Sequence, residues 1–515
     1  MEPLVHHWYA WSHLIPPATA ARNETERHLR IMDSFIHSPE AHAAAVKDPK
    51  LLGGPFMDLS KDYLDLVKQL AEETRNSSLA TLSRAICELD EMLRANAQGY
   101  SLEPLYAMVP EPLRGYVELV YDRHNNVSFR LLEPLLYESK FYDPKRQSLM
   151  LSLIRDDERP FVLSTPRFEE KNNVHLSIPF ASEQVNFLFR LKDQPAKFAE
   201  IKARLGFTDE DDEVFSTFLS TTPVRKCQPY DGKTARWRYF GHACILLEAG
   251  GASILTDPVL SYTYENNISR YTYEDLPDVI DCVLITHNHQ DHLLFETLLQ
   301  LRSRIRTIVV PRNAGGSLQD PSMKQILRRC GFNNVVEMEE MEEAEFGPLH
   351  IKTLPFLGEH GDLDIRTKLA YVASVNGHSL LFAADSCNIS PEMYRHVHQD
   401  VGDIDVAFIG MECAGAPVSW IYGPLFTQRM ERAQDQSRRL AGSNYERANA
   451  IVEQFHCKEV YVYAMGQEPW LNYVMSVKYT PESHPIVQSN HLIEACRAKG
   501  IVAERLFGEK EILLA

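Results

Sequence analysis

The chain has 515 residues, a length that predicts two or three domains rather than one core. Its composition, 44% hydrophobic and 24% charged, is typical of a folded globular protein. The formal net charge of −18 argues against nucleic acid or an anionic membrane as the main partner. We find no apolar run long enough to predict a membrane-spanning helix.

Two features predict a cytoplasmic protein with reduced thiols. The first residues lack the basic leader and apolar stretch of a secretory signal. The nine cysteines are scattered without a CxxC pair, which argues against a disulfide framework or a Cys-ligated zinc site. Local arginine clusters, among them Arg302, Arg304 and Arg306, are interpreted as solvated helix faces, with a docking patch for an acidic protein as the alternative.

The first part of the chain predicts an α+β domain. Residues 1–100 carry apolar residues at helical spacing, most clearly in SSLATLSRAICELDEMLRANA. Apolar runs on both sides of residues 124–126 predict a β-hairpin, and SLMLSLI and PFVLS predict a second one around residues 156–158. The polar stretch 221–233 is interpreted as a linker. We therefore expect one domain over residues 1–230 and another over residues 231–515.

After residue 234, short apolar strands alternate with turns and helices. VIDCVLIT predicts a buried strand that runs into His287, and the Asn376-Gly377 dipeptide between two apolar runs is a strong hairpin signal. Helices are predicted over 294–305, 321–331, 444–456 and 488–499. This order predicts an α/β sandwich with two sheets face to face and helices outside.

The sequence THNHQDH follows that buried strand and predicts a two-metal site. His287 and His289 are two residues apart, so they project to the same side of an extended chain end. A turn at Gln290 then brings Asp291 and His292 inward. Four ligand-type side chains within six residues can reach two metal ions side by side.

Further ligand-type residues follow other predicted strands. Asp257 ends SILTDP, Glu359 and His360 lie in FLGEHGD, and Asp385 lies in FAADS. With the histidine motif, this pattern resembles the metallo-β-lactamase superfamily over residues 235–515. The resemblance implies that Asp385 bridges two metals and that Asp257 orients the histidine loop by a hydrogen bond.

Two positions depart from the zinc hydrolases of that superfamily, which carry a histidine at each. The first position offers Glu359 and His360, and the late strand VYVYAMGQEPW has no histidine. The predicted inventory becomes three histidines and three carboxylates. Harder oxygen ligands suit a metal that must hold a +3 charge, and a missing ligand leaves room for O₂.

The whole chain also resembles the diiron β-hydroxylase family of chloramphenicol biosynthesis, in length, in its large N-terminal domain and in the HxHxDH–Glu–Asp order. The resemblance implies O₂-dependent hydroxylation of the β-carbon of an amino acid, held as a thioester on a carrier domain of a nonribosomal peptide synthetase, for antibiotic biosynthesis. It implies an external electron donor, and a homodimer whose N-terminal domain shapes access to two iron ions. The implied ligands are His287, His289 and Glu359 on one iron, Asp291 and His292 on the other, and Asp385 between them.

Several roles stay open at this point. Glu412 matches a carboxylate near the cluster in that family and is the candidate catalytic residue, but it could equally cap a loop. His360 is predicted to be a neighbour rather than a ligand. The N-terminal aromatics are expected in the core or an interface, whereas later aromatics are candidates for gripping an apolar substrate: Trp8, Tyr9 and Trp11; Trp420, Tyr422, Phe426, Trp470 and Tyr473.

The competing hypothesis is a dinuclear zinc hydrolase of the same fold that cleaves a lactone or a phosphodiester. A hydroxide activated by two cations would be its nucleophile. The generic HxHxDH loop supports it, whereas Glu359 and the missing late histidine count against it.

Overall fold

Helices and two small sheets build the first part of the chain. The computed structural model describes residues 1–223 and 225–514. The helices are α1 (Pro17–Asn23), α2 (Leu29–His37), α3 (Pro39–Ala45), α4 (Leu64–Arg75), α5 (Ser78–Asn96), α6 (Glu133–Tyr137), α7 (Glu183–Arg190), α8 (Phe198–Leu205) and α9 (Asp212–Ser216). The strands are β1 (Glu2–Val5), β2 (Trp8–Tyr9), β3 (Val117–Tyr121), β4 (Val127–Leu131), β5 (Gln147–Ser152) and β6 (Asn173–Leu176).

The longest of these helices, α5, shows why the sequence folds as predicted. The Ser77 side chain caps the helix by accepting a hydrogen bond from the Ala80 N–H at 3.1 Å. Leu82, Ile86 and Leu89 recur at helical spacing and are buried.

One predicted hairpin is confirmed and the other is wrong. Strands β3 and β4 pair antiparallel around residues 124–126. β5 instead pairs with β1 and β6 in a four-stranded sheet of order β2-β1-β5-β6. The PFVLS segment forms no strand, because Pro160 has no N–H to donate and the Val162 N–H donates to the Tyr473 carbonyl instead.

Two seven-stranded sheets form the second part of the chain. Their strands, with those of a small ribbon, are β7 (Ala235–Tyr239), β8 (Ile245–Ala249), β9 (Ala252–Thr256), β10 (Cys282–Leu284), β11 (Ile308–Pro311), β12 (Val335–Met338), β13 (Glu343–Phe346), β14 (Leu349–Leu354), β15 (Ala370–Val375), β16 (His378–Phe382), β17 (Val406–Gly410), β18 (Ala416–Pro417), β19 (Arg439–Leu440), β20 (Glu459–Tyr463), β21 (Val502–Arg505) and β22 (Lys510–Leu514). The orders are β12-β11-β10-β9-β8-β7-β22 and β13-β14-β15-β16-β17-β20-β21.

The two sheets enclose a core that contains Trp237, Phe408 and Tyr461. The helices of this part are α10 (Phe295–Leu301), α11 (Met323–Arg329), α12 (Pro391–Val401), α13 (Ser419–Tyr422), α14 (Arg432–Ser437), α15 (Tyr445–Gln454), α16 (Asn472–Met475) and α17 (His484–Ala498). The predicted sandwich is confirmed. So is the hairpin at Asn376-Gly377, where both residues have positive φ, as a type I′ turn requires.

The interpretation of Arg302 and Arg304 as solvated is wrong. Both are buried: the Arg302 guanidinium donates to the carbonyls of Phe180, Ser182 and Cys330, and Arg304 pairs with Asp193. These contacts tie the two parts of the chain together. The predicted linker contains Val224, which lies outside the described residues. Within the described part, no helix combines the length and apolar character needed to cross a bilayer.

Candidate metal centre

The histidine loop follows β10 directly, as predicted, and is fixed from β9. The Asp257 carboxylate accepts hydrogen bonds from the Thr286 N–H at 2.7 Å and the Thr286 hydroxyl at 2.6 Å. Its Oδ2 also lies 2.8 Å from His292 Nδ1. Asp257 therefore makes the predicted contact with the loop and leaves His292 Nε2 facing the centre of the site.

Three predicted ligands form a first triad. His289 Nδ1 lies 2.9 Å from Glu359 Oε1, and His287 Nε2 lies 3.7 Å from Glu359 Oε2. One ligand atom from each residue lies within 4.8 Å of the others, and all three residues are buried. His287 Nδ1 lies 3.0 Å from the Thr286 hydroxyl, so its Nε2 is the nitrogen available to a metal.

A second triad contains a residue that the sequence analysis missed. His242 joins Asp291 and His292, with its Nε2 3.1 Å from Asp291 Oδ2 and 3.2 Å from His292 Nε2. Its carbonyl accepts from the Ala464 N–H at 3.0 Å, beside the late-strand position that lacks a histidine. The one local signal in the sequence was that His242 follows an apolar strand closely, as His287 does. His242 is therefore a fourth histidine beside the predicted ligands, and the predicted set of three histidine ligands stays a prediction.

Asp385 lies between the triads. Its Oδ2 is 3.1 Å from His292 Nε2 and 3.9 Å from His287 Nε2. The structure thus brings all six predicted ligand residues together, with Asp385 at the centre. That each of them binds metal stays a prediction.

The electrostatics of the site fit bound cations. His287 Nε2, Glu359 Oε2 and Asp385 Oδ1 are buried atoms without a hydrogen-bond partner, an arrangement that a cation would satisfy. Burial raises the pKa of Glu359 to about 7. Burial opposes protonation of His292, but the carboxylates of Asp291, Asp385 and Asp257 outweigh it and raise its pKa well above the usual value. Bound cations would favour the charged carboxylates and the neutral imidazoles.

Backbone strain is concentrated at the strand ends around the site. His242, Asp257, Glu359, Ala384 and Ala464 all have positive φ, between 33° and 65°. Non-glycine residues adopt this region rarely, and such strain clusters where a structure holds functional groups.

A cavity of about 520 Å³ opens over the metal-site residues. His289, Asp291, Glu359 and Asp385 form one wall, and Phe56, Ile421, Trp420 and Met475 contribute apolar surface. Residues 50–56, from the N-terminal part of the chain, also line it. The size suits a small organic substrate.

Comparison with known proteins identifies the family. Residues 1–223 match the N-terminal domain of diiron non-heme β-hydroxylases, and residues 252–418 match the β-lactamase superfamily domain. A protein of Streptomyces venezuelae, named as the 3-hydroxylase of 4-amino-L-phenylalanyl on the CmlP peptidyl carrier protein, is 42% identical over 98% of this chain and 97% of its own. The chain belongs to the diiron non-heme β-hydroxylases.

Solved structures of this family cover the whole fold. The crystal structure of CmlA, a diiron β-hydroxylase from Streptomyces venezuelae, has a TM-score of 0.94 and 40% sequence identity, and the match covers 100% of this chain and 98% of that one. A point mutant of CmlA has a TM-score of 0.92, with the same identity and coverage. This diiron β-hydroxylase is therefore an enzyme with the metallo-β-lactamase fold in its second part.

Two residues of this β-hydroxylase had open roles. Glu412 lines the cavity, and its carboxylate accepts from the Gly415 N–H at 2.5 Å and from the Tyr479 hydroxyl at 3.4 Å, so it both caps a turn and faces the site. Burial raises its pKa to about 7. His360 stacks on His289, with its Nδ1 3.2 Å from Glu359 Oε2.

The late aromatic residues do not act as one group. Trp420 lines the cavity. The Tyr422 hydroxyl instead lies 3.0 Å from His289 Nε2. Trp470 and Tyr473 are not among the described lining residues: Trp470 packs on Arg270 and Tyr473 donates to Glu296. Phe426 lines a different cavity. These three residues therefore do not line the cavity over the metal site, as a residue that grips the substrate there would, whereas Trp8, Tyr9 and Trp11 are in the core as expected.

Proposed function

We propose that this enzyme uses two iron ions and O₂ to hydroxylate the β-carbon of an amino acid held as a thioester on the carrier domain of a nonribosomal peptide synthetase. The observation that carries the proposal is the similarity along the whole chain to a hydroxylase that acts on a carrier-bound aminoacyl group. The cavity also supports the proposal. Its metal-site residues would face the reacting carbon, and its apolar residues would contact the substrate side chain.

The side chains suit this chemistry. Bound ferrous ions would supply electrons to O₂, and an external donor would return electrons to the iron ions. His287, His289 and His292 would hold the ions through nitrogens that face the centre, and the carboxylates of Asp291, Glu359 and Asp385 would offset their charge. Phe56, Trp420 and Met475 would exclude water from the aminoacyl side chain.

The substrate wall is shared between the two parts of the chain, because residues 50–56 come from the N-terminal part. We propose that this part shapes access for the carrier-bound aminoacyl group and supports a homodimer. We place the boundary between the two domains at residue 230, shortly before the first strand of the sandwich begins at Ala235.

Metal analysis combined with a carrier-domain assay tests the function. Protein from iron-supplied cells should contain two irons per chain and show a near-ultraviolet band from a bridged iron pair. With a reductant and O₂, it should add one oxygen atom to a carrier domain loaded from a panel of amino acids, as read by mass spectrometry. The zinc-loaded protein and the free amino acids serve as controls and should give no product. Two zincs per chain with turnover of a lactone would establish the hydrolase instead.

A further inference from the structure

The second ring nitrogen of His289 has a buried partner. His289 Nδ1 faces Glu359, whereas its Nε2 lies 3.0 Å from the Tyr422 hydroxyl. Tyr422 is 1% exposed, and this nitrogen is its hydroxyl's hydrogen-bond partner among the described residues. If Nδ1 binds a metal ion, the ring proton is on Nε2, which donates a hydrogen bond to the Tyr422 oxygen. Such a contact fixes the tautomer and the ring orientation of a ligating histidine.

An arginine of the N-terminal part holds the helix that carries Tyr422. The Arg27 guanidinium donates to the Trp420 carbonyl at 2.7 Å and to the Ile421 carbonyl at 2.9 Å. Both carbonyls belong to α13, whose last carbonyls need partners outside the helix. Burial lowers the pKa of Arg27 to about 10, yet the salt bridges found among the described residues give it no carboxylate partner. Its Nε also donates to Asn23 Oδ1 at 3.3 Å, so the two carbonyls of α13 are its shortest hydrogen bonds.

The same short helix also reaches the substrate cavity. Trp420 lines that cavity, and its indole N–H donates to the Gly53 carbonyl at 2.9 Å. Gly53 belongs to the N-terminal segment that lines the cavity. α13 is therefore held by contacts with Arg27 and Gly53, and its last residue, Tyr422, contacts His289.

We propose that Tyr422 is a positioning residue for His289, and that Arg27 acts through it, so that the N-terminal part of the chain sets the geometry of the first metal triad. This inference rests on the proposed function in one respect, that His289 binds iron through Nδ1. It gives the N-terminal part a role in metal binding in addition to its role in the cavity wall.

Metal affinity and spectroscopy test the proposal, with Tyr422→Phe and Arg27→Gln as variants. Tyr422→Phe keeps the ring and removes only the hydroxyl. We expect about a tenfold loss of iron affinity and a shift in the midpoint potential of the iron pair. Arg27→Gln should change both quantities in the same direction. Because Arg27 acts through Tyr422, the double variant should lose no more affinity than Tyr422→Phe alone.

Two matched controls separate positioning from general damage. Tyr461→Phe removes a phenol that donates to Glu459, and Arg302→Gln removes a buried guanidinium that holds backbone carbonyls. Both should leave the iron affinity and potential unchanged, even where they lower the melting temperature. Unchanged affinity and potential in Tyr422→Phe would overturn the proposal, as would equal shifts in the Arg302→Gln control.

A titration of the metal-free protein with Co²⁺ distinguishes failure of this proposal from failure of the proposed function. A loss of Co²⁺ affinity in Tyr422→Phe supports positioning even if the wild-type enzyme hydroxylates no carrier-bound amino acid. An intact Co²⁺ affinity in Tyr422→Phe overturns positioning, even if hydroxylation by the wild type proceeds as proposed.

Discussion

Glu359 is the residue of the site whose environment most requires a cation. It is buried with positive φ, its Oε2 has no hydrogen-bond partner, and burial raises its pKa to about 7. A carboxylate in such a place is stable in its charged form when a metal ion compensates it. Its neighbour His360 is also buried: its Nδ1 lies 3.3 Å from the Gly358 carbonyl, whereas its Nε2, like Glu359 Oε2, has no hydrogen-bond partner. The two adjacent buried residues therefore make a matched pair for substitution, with Glu359 as the predicted ligand and His360 as the control.

We predict that Glu359→Ala loses iron and hydroxylation together, because the first triad keeps two imidazoles and no carboxylate. His360→Ala should retain two irons per chain. Iron content by metal analysis and product by mass spectrometry measure both effects. If Glu359→Ala keeps its iron while His360→Ala loses it, the histidine is the ligand and the assignment is reversed.

Strand ends explain which parts of the site the sequence could predict. His287, Glu359 and Asp385 each follow an apolar strand, so local pattern and residue chemistry placed them at one edge of the sheets. His242 also follows a strand, but it stands alone in the sequence, and only the tertiary fold brings it to Asp291. The PFVLS hairpin failed for a similar reason, since the Tyr473 carbonyl that binds Val162 is far away in the chain.

Asp257, which directly follows strand β9, is predicted to control the tautomer of His292. In Asp257→Asn the new amide N–H can donate to His292 Nδ1, which places the ring proton on Nε2, the nitrogen that faces Asp385. We expect the variant to lose at least half of its iron by metal analysis and to fall at least tenfold in hydroxylation rate.

Asp320→Asn is the control for this variant. Asp320 is also a fully buried carboxylate that orders a loop, by accepting from the Thr367 N–H at 3.1 Å and from the Thr367 hydroxyl. The change should lower the melting temperature but leave two irons per chain. Equal iron loss in both variants would mean that Asp257 acts only through the fold.

On the scale of the whole molecule, the two parts of the chain share one hydrophobic core. Trp8 and Phe35 belong to the same buried cluster as Phe295, Leu298 and Tyr422. Sequence patterns predicted the two parts but not this shared core, because each helix shows which face is apolar and not what will cover it. Polar contacts cross the same boundary, and one of them is sensitive to pH.

Glu133 in α6 makes that contact. Its carboxylate accepts from the Ser322 N–H, at the N-cap of α11, at 3.1 Å and 3.3 Å. Burial raises its pKa from 4.5 to about 7. Between pH 4.5 and about 7, the folded protein therefore holds a proton on Glu133 that the unfolded chain has released. This contribution to the free energy of unfolding is full below pH 4.5 and is lost as the pH rises through 7. One pKa unit corresponds to about 1.4 kcal/mol, which limits the loss to about 3 kcal/mol.

We predict that Glu133→Gln removes this loss, because the amide oxygen still accepts from Ser322 and carries no charge. The variant should melt at a higher temperature than the wild type at pH 8 and close to it at pH 5, at equal iron content. Calorimetry at both pH values measures the difference, with Glu111→Gln as an exposed control that should follow the wild type. Parallel melting curves for the wild type and Glu133→Gln across this range would show that the buried carboxylate does not govern the contact.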